Sequence, residues 1–374
     1  MTTNKKAYIN SFEAVSCAGL DSQQLFASIC EKKDCISIDD SYVQDRSVAI
    51  GKIDSNLSFN DLLTKTVNKV LTNSNLENYK NTLLIIGSSV GGMNETEKVF
   101  FKDSSYENID YKKHPIDAIA YHLKQDFTFY DDISFSTACT SSANALGYAK
   151  EVINKGIYKN VLVVGVDALS YTTVCGFSAL SVLSSKPCTP FEKNREGMNV
   201  AEAIAVLLIQ DEKEDSKSIE ICGVGYSSDG HHMTQPHPEG LGAAKAMQNA
   251  IDDAKINKEK ISYINAHGTG TMANDSSELN AISLVFDTSK PYVSSTKSFT
   301  GHTLGAAGAI EAVIACMSLQ KQIIPPSKNI KDVEREDISF SNEPLKQEVS
   351  YVLSNSFAFG GNNTSILLGL SNDN

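Results

Sequence analysis

ISFSTACTSSANALGYAK, residues 133–150, joins a segment rich in strand-forming residues to a run of small polar residues that can open a helix. Ala145, Ala149, Val152 and Ile153 share one face at helical spacing, with Thr140, Ser141 and Ser142 near the start and Gly156 near the end. The stretch therefore reads as strand, sharp turn, helix. Cys139 lies in the turn, where the positive end of a helix dipole favours the thiolate. A cysteine among Ala and Ser also fits as a small core side chain, so its role depends on the rest of the chain.

Outward from this junction, TLLIIGSS (82–89), VLVVGVDAL (161–169) and AIAVLLIQ (203–210) are continuous rather than alternating apolar runs. They predict strands covered on both faces, as in a largely parallel sheet between helix layers. The most hydrophilic stretch, DEKEDSKS (211–218), is either a boundary between halves or a surface turn within one domain. Beyond it the strand pattern resumes in IEICGVG, ISYINAHG, PYVSSTKS, YVLSNSFAF and SILLGL. Cys139, Asp167, His267, Lys297 and Phe359 each fall at or just beyond the carboxyl end of a predicted strand, the edge where open α/β sheets assemble ligand sites.

The composition of the 374 residues, 41% hydrophobic and 21% charged, is that of a globular chain. A formal charge of −12 argues against a nucleic-acid surface, so an acidic partner needs a local basic patch, for which Lys5 with Lys6 and Lys112 with Lys113 are candidates. With no run of roughly 18 apolar residues and no signal-like start, neither a membrane span nor secretion is expected. Cysteines without C-x-x-C pairs, set beside small or apolar neighbours, suit a reducing compartment, and the expected location is the cytoplasm.

Three further stretches carry candidate chemistry. NAHGTGTMANDSSE (265–278) places His267 at the entry to a glycine-rich turn with the hydroxyls of Thr269 and Thr271. SSTKSFTGHTLGAAGAIEAVIA (294–315) places Lys297 and His302 across a turn, before a helix of very small residues that can pack closely on another backbone. It has neither G-K-[ST] nor a complete G-x-G-x-x-G, so no nucleotide cofactor is expected. NSFAFGGNNTS (355–365) can turn tightly and expose an amide toward a reaction centre. His231, His232 and His237 cluster in HHMTQPHPEG, but their spacing is no recognised ligand pattern, and no metal is expected.

Together with GSSVGGM (87–93), STACTSSANAL (136–146), PFEKNREGMNVAEA (190–203) and SSDGHHMTQPHPEG (227–240), these blocks occur in the order seen in decarboxylating, elongating β-ketoacyl-[acyl-carrier-protein] synthases, and nearly the whole chain resembles that family. The resemblance implies a thiolase-like, layered αβαβα fold built from two similar βα halves, here 1–215 with the nucleophile and 216–374 with the histidines and lysine. It implies that Cys139 takes an acyl group from an acyl carrier protein, that the N–H groups of Cys139 and Phe359 form the oxyanion hole, and that His267 and His302 bind the thioester carbonyl of a malonyl carrier protein. Lys297 would keep His302 neutral and pair with Glu311. Asp275 and Glu278 would support the first histidine loop, Thr269 and Thr271 would hold the pantetheine arm, and Phe359 would gate the nucleophile.

The sequence departs from the family pattern in three ways. Ala201, Ala203 and Ala205 stand where glycines are common, AFGG replaces GFGG, and the chain is short in its first hundred residues. These differences leave the catalytic set intact but bear on the acyl tunnel and the carrier-binding surface, so fatty-acid elongation and a specialised pathway such as polyene or polyketide assembly both stay open. FAFGGNN lacks the second cysteine of a thiolase, and His302 fits Cys-His-His rather than the Cys-His-Asn of starter synthases. The resemblance also implies a dimer, either of identical chains or with a related synthase subunit. A non-catalytic, chain-length-controlling partner subunit is the alternative, although such partners typically lack the nucleophile.

Overall fold

The computed structural model describes residues 5–371 except 77, 288 and 329. The first half of the chain runs β1 (Tyr8–Ser16), α1 (Ser22–Cys30), β2 (Ser37–Asp39), β3 (Val48–Gly51), α2 (Phe59–Thr72), β4 (Thr82–Gly87), α3 (Met93–Asp103), α4 (Asp117–Asp126), β5 (Asp132–Phe135), α5 (Ser141–Asn154), β6 (Asn160–Asp167), α6 (Tyr171–Ala179), β7 (Val200–Ala201) and β8 (Ala203–Gln210). The second runs β9 (Ile219–Ser228), α7 (Leu241–Ala254), β10 (Ile261–Asn265), α8 (Met272–Val285), β11 (Tyr292–Ser294), α9 (Lys297–Thr300), α10 (Ala307–Lys321), β12 (Ile323–Ile324), β13 (Ser339–Phe340), β14 (Leu345–Lys346), β15 (Tyr351–Phe357) and β16 (Asn362–Leu370).

The main sheet has the order β13-β11-β10-β15-β16-β9-β1-β8-β6-β4-β5. Read inward from β5 at one end and from β11, beside the edge strand β13, at the other, β5-β4-β6-β8-β1 and β11-β10-β15-β16-β9 have the same strand order and the same sequence of two parallel and then two antiparallel pairings. The halves meet through a short antiparallel contact, Tyr8 opposite Glu220 and Ile9 opposite Ile219. The polar stretch 211–218 lies between β8 and β9, at the passage from one half to the other.

The expectation of a largely parallel sheet is corrected here. AIAVLLIQ forms β8, which is antiparallel to both of its neighbours. Its unbroken apolar run reflects helices on both faces, α2 on one and α10 on the other, and coverage of both faces does not fix strand direction.

Helices α5 and α10 pack on each other and on strands of both halves, which makes them the middle layer of an αβαβα stack. Outside lie α2 and α4 on the first half, and α7 and α8 on the second. Ser58 caps α2 by accepting the Asp61 N–H, and Ser170 caps α6 by accepting the Thr173 N–H. The middle layer depends on small residues: a Cβ at Gly308 of α10 would come within 2.6 Å of the Ala143 nitrogen of α5. Leu304–Lys321, the turn into α10 and α10 itself, is long and apolar enough to cross a membrane, contrary to the sequence reading, yet it is mostly buried inside the protein. A helix apolar all round is what the middle layer needs. Of the two basic pairs, Lys6 pairs with Glu220 at 2.9 Å and Lys5 with Asp211, whereas Lys112 and Lys113 stay exposed.

Candidate active site

Ala138, immediately before Cys139, has φ +53°, a left-handed conformation that costs a non-glycine residue roughly 1–2 kcal/mol. This strained turn follows β5 and places Cys139 two residues before α5, whose first turn has no side-chain cap. The Cys139 sulfur meets His302 Nε2 at 3.1 Å. The rings of His302 and His267 are edge to face, with centroids 5.2 Å apart. One ligand atom from each of Cys139, His267 and His302 falls within 4.8 Å of the others, so the structure brings the sequence-predicted trio together.

The two imidazoles acquire the same tautomer by different routes. Lys297 Nζ lies 3.3 Å from His267 Nδ1 and pairs with Glu311. An ammonium can only donate, so Nδ1 accepts and His267 carries its proton on Nε2. For His302 the Leu304 N–H donates to Nδ1 at 3.3 Å, again leaving Nε2 protonated. Burial, followed by the Lys297 charge, pushes both imidazoles well below the usual histidine range, so both are neutral donors. Lys297 thus biases both histidines, and its direct contact is with His267 rather than with the expected His302.

Cys139 departs from the expectation of an easily ionised sulfur. Burial pushes its thiol up to about 11, although the Lys297 charge and the Phe359 N–H both pull it down. A helix N-terminus is legible in the sequence, whereas the desolvation that outweighs it depends on the tertiary packing. The resting group is a thiol. Phe359 N–H and Cys139 N–H both act on the sulfur, which sets two backbone donors beside the atom that would carry an acyl group.

The supporting acids occupy the expected loop. Glu278 accepts the N–H groups of His267 (2.8 Å) and Gly268 (2.7 Å), together with Asn355 Nδ2 (3.1 Å). Asp275 accepts the N–H groups of Thr269 (2.9 Å) and Phe191 (2.9 Å). Burial pushes the carboxyls of Glu278 and Glu311 up to about 7, and Asp275 is also raised by burial, in part offset by Arg195. Thr269 and Thr271, with hydroxyls 2.9 Å apart, line a cavity of about 330 Å³ that ends at Cys139, His267 and His302. Phe359 also lines it, half-buried, with its ring 6.0 Å from that of Phe177.

Other supports come from residues that the sequence alone does not single out. In PFEKNREGMNVAEA, the Arg195 guanidinium donates to the carbonyls of Thr271 (3.2 Å) and Met272 (2.9 Å), binding the histidine loop from outside. The Asn199 carbonyl accepts the His302 N–H at 2.7 Å, and the Asn199 side chain bonds Cys188 and Lys186. The rings of His231 and His237 lie tilted to each other with centroids 5.2 Å apart, beside the cavity-lining residues His232 and Thr234. The Met233 carbonyl of this segment accepts the Gly360 N–H at 2.8 Å, tying it to the Phe359 turn.

Residues 58–215 match the family model described as "Beta-ketoacyl synthase, N-terminal domain", and residues 219–331 match "Beta-ketoacyl synthase, C-terminal domain". Among curated proteins, 3-oxoacyl-[acyl-carrier-protein] synthase 2 of Vibrio harveyi is 36% identical over 255 residues, covering 63% of this chain and 61% of that protein. The synthase of the same name from Coxiella burnetii is 37% identical over 253 residues, with 63% and 61% covered. The matched stretch thus spans less than two thirds of these relatives' length. Among solved structures, a ketosynthase in complex with its chain length factor from Xenorhabdus doucetiae superimposes with a TM-score of 0.88 at 29% identity over 98% of each chain. A β-ketoacyl synthase from Burkholderia phymatum gives 0.86 at 26% identity over 98% of this chain and 100% of that one. With both domains matched in order and the layered architecture shared end to end, the chain belongs to the β-ketoacyl synthase family of the thiolase-like superfamily.

Proposed function

We propose that the protein is an acyltransferase that performs decarboxylative Claisen condensation of an acyl group, held on Cys139, with malonyl-[acyl-carrier protein]. The convergence of one thiol and two neutral Nε2–H donors at the end of a cavity carries this reading. In the first step Cys139 sulfur bonds to the acyl carbonyl carbon, the bond to the carrier's sulfur breaks, and the thiol proton ends on the departing pantetheine thiol. The N–H groups of Cys139 and Phe359 bind the oxyanion of that transfer. Malonyl carrier protein then enters along Thr269 and Thr271.

Its carboxylate leaves as carbon dioxide, and the electron pair of the broken bond passes into an enolate whose oxygen accepts hydrogen bonds from His267 and His302. The enolate carbon attacks the acyl-cysteine, a carbon–carbon bond forms, and the Cys139 sulfur is expelled and reprotonated. Splitting one hard condensation through a covalent intermediate is ordinary nucleophilic catalysis. Neutral imidazoles suit this task because they donate without competing for the proton of the thiol.

The same proposal sets the division into halves at 1–215 and 216–374, places the protein in the cytoplasm and gives it a related synthase subunit as partner, in fatty-acid or polyketide-type elongation. An aromatic ladder supports a partner surface: Tyr42, Tyr171, Phe101, Phe100 and Tyr106 follow one another at centroid spacings of 5.1, 4.8, 5.5 and 4.7 Å. Phe101 and Tyr106 are 54% and 77% exposed, an apolar display that isolated surfaces seldom keep. Intact-mass measurement after incubation with acyl carrier protein tests the chemistry. One acyl adduct is expected, absent in Cys139→Ala, with carbon dioxide released on adding malonyl carrier protein. A wild-type protein that stays unmodified and releases no carbon dioxide would make it a non-catalytic, chain-length-controlling partner instead.

A further inference from the structure

Asp167 ends β6 and is 1% exposed, yet the partners of its carboxylate are dipoles alone: the hydroxyls of Ser88 and Ser89 (both 2.6 Å) and the N–H groups of Ser89 (3.1 Å), Val90 (3.1 Å) and Gly305 (2.6 Å). Three converging N–H groups can only donate, so the geometry suits an ionised acceptor. A buried charge held by so many donors marks a position where the chain needs a fixed anchor. Gly305 follows Leu304, a non-glycine residue at φ +53° whose own N–H donates to His302 Nδ1. The His302 backbone is secured separately, by its N–H on the Asn199 carbonyl and its carbonyl on the Ala201 N–H. What Asp167 holds is therefore the strained turn that presents a donor to the imidazole, and not the histidine backbone.

We propose that Asp167 is a positioning residue for the condensation: by holding the Gly305 N–H it locks the Leu304 turn, which keeps His302 in the tautomer whose Nε2–H faces the reacting thioester. This rests on the condensing reading given above. Ser89 shares the task, since its hydroxyl also accepts the Gly305 N–H, at 3.0 Å. A Cβ at Gly305 would come within 2.8 Å of an Asp167 carboxylate oxygen, so the contact also requires the glycine. The Asp167 charge faces Cys139 as well and pushes its thiol up.

The tautomer is read in wild-type protein with ring nitrogen-15 histidine, the His302 signal being assigned by its loss in His302→Gln. An acceptor Nδ1 and a protonated Nε2 are expected, and a His302 protonated on Nδ1 overturns the proposal whether or not the protein is an enzyme. In folded Asp167→Asn, decarboxylation of malonyl carrier protein should fall about tenfold to a hundredfold, the scale of loss seen when outer partners that orient a metal-bound histidine are removed. Acyl transfer to Cys139 should not fall with it, since removing the Asp167 charge lowers the thiol. Alkylation of Cys139 should move to lower pH, because the Asp167 charge that raises the thiol is gone. Equal losses in both half-reactions, or an unchanged His302 tautomer, overturn the proposal. Should Asp167→Asn not fold, Ser89→Ala is expected to give the same split at smaller size, and equal losses there overturn it too. A wild-type protein inactive in both half-reactions sinks the condensing reading but leaves the tautomer result standing.

Discussion

The turns that carry His267 and His302 deliver the same chemical group by opposite means. His267 sits among buried charges: Glu278 accepts its N–H and that of Gly268, Asp275 accepts the N–H groups of Thr269 and Gly270 beyond it, and the Lys297 ammonium, paired with Glu311, touches its Nδ1. His302 is held by backbone, with the Asn199 carbonyl on its N–H and the Leu304 N–H on its ring. The first arrangement places buried charges in direct contact with the histidine and its loop, whereas the second keeps its one buried carboxylate, Asp167, a turn away and needs a strained residue to aim the donor. One site therefore holds two identical donors whose failure modes differ, and substitutions can separate them.

The largest effect is expected on the charged side. Lys297→Met leaves Glu311 buried without its cation, and Glu311 Oε2 already has no partner among the described residues. Removing one member of a buried pair typically costs about 3–5 kcal/mol, so denaturant unfolding should show a loss of that order, and Lys297→Met with Glu311→Leu should recover most of it. The same single substitution removes the charge that lowers the Cys139 thiol. At a value of about 11 the thiolate is roughly a thousandth of the total at pH 8, and iodoacetamide alkylation should still be rising at pH 10. In Lys297→Met the alkylation profile should move to higher pH, and a plateau near pH 8 in wild type would contradict the burial that sets it.

A smaller effect separates the two turns by pH. Burial raises Glu278 from its ordinary value of 4.5 to about 7 in the folded protein. Between these values the folded state binds the proton that the unfolded chain has released. The contribution is fully present below 4.5 and is lost as pH rises through about 7, at up to about 1.4 kcal/mol per unit. Glu311 is raised in the same direction and adds to the slope. Glu278→Gln should flatten the stability profile between pH 5 and 7, while substitutions in the His302 turn that keep His302 and Asp167 should leave its slope unchanged. Parallel profiles for wild type and Glu278→Gln would show that Glu278 is not the group titrating there.

The two turns also differ in how far the sequence discloses them. The glycine-rich NAHGTGT and the spacing of Lys297 and His302 are local, and both lie where the strand pattern predicts, beyond β10 and β11. The order of blocks therefore pointed to residues that converge in the structure and to the layered fold. What holds His302 is distributed: Asn199, Asp167 and Ser89 come from three separate segments, and each is unremarkable beside its own neighbours. Such partners are fixed only when the two sheet halves close on α5 and α10. Apolar runs such as AIAVLLIQ reveal covered faces, but strand direction is set by the connections, and the thiol's environment by the depth of the cavity.

The smallest expected effect concerns strain, which both the Cys139 turn and the His302 turn contain at a non-glycine residue of φ +53°, Ala138 and Leu304. At Leu304 the conformation cannot be relaxed cleanly, because the side chain is 3% exposed and packed in an apolar cluster, so Leu304→Gly deletes buried volume along with the strain. Ala138→Gly removes a single methyl. It relieves a left-handed cost of roughly 1–2 kcal/mol and gives back about 0.4–1 kcal/mol through the freer unfolded chain. A net gain between zero and about 1.6 kcal/mol in unfolding free energy is therefore expected, measured by denaturant titration. If the strain serves to aim the sulfur, the more stable variant should acylate more slowly, because glycine lets the turn visit conformations in which Cys139 faces away from the Phe359 N–H. A variant both more stable and equally fast would mean that the aim of the sulfur is set by α5 and its packing, and that the strained turn is only the way in which the chain enters the helix.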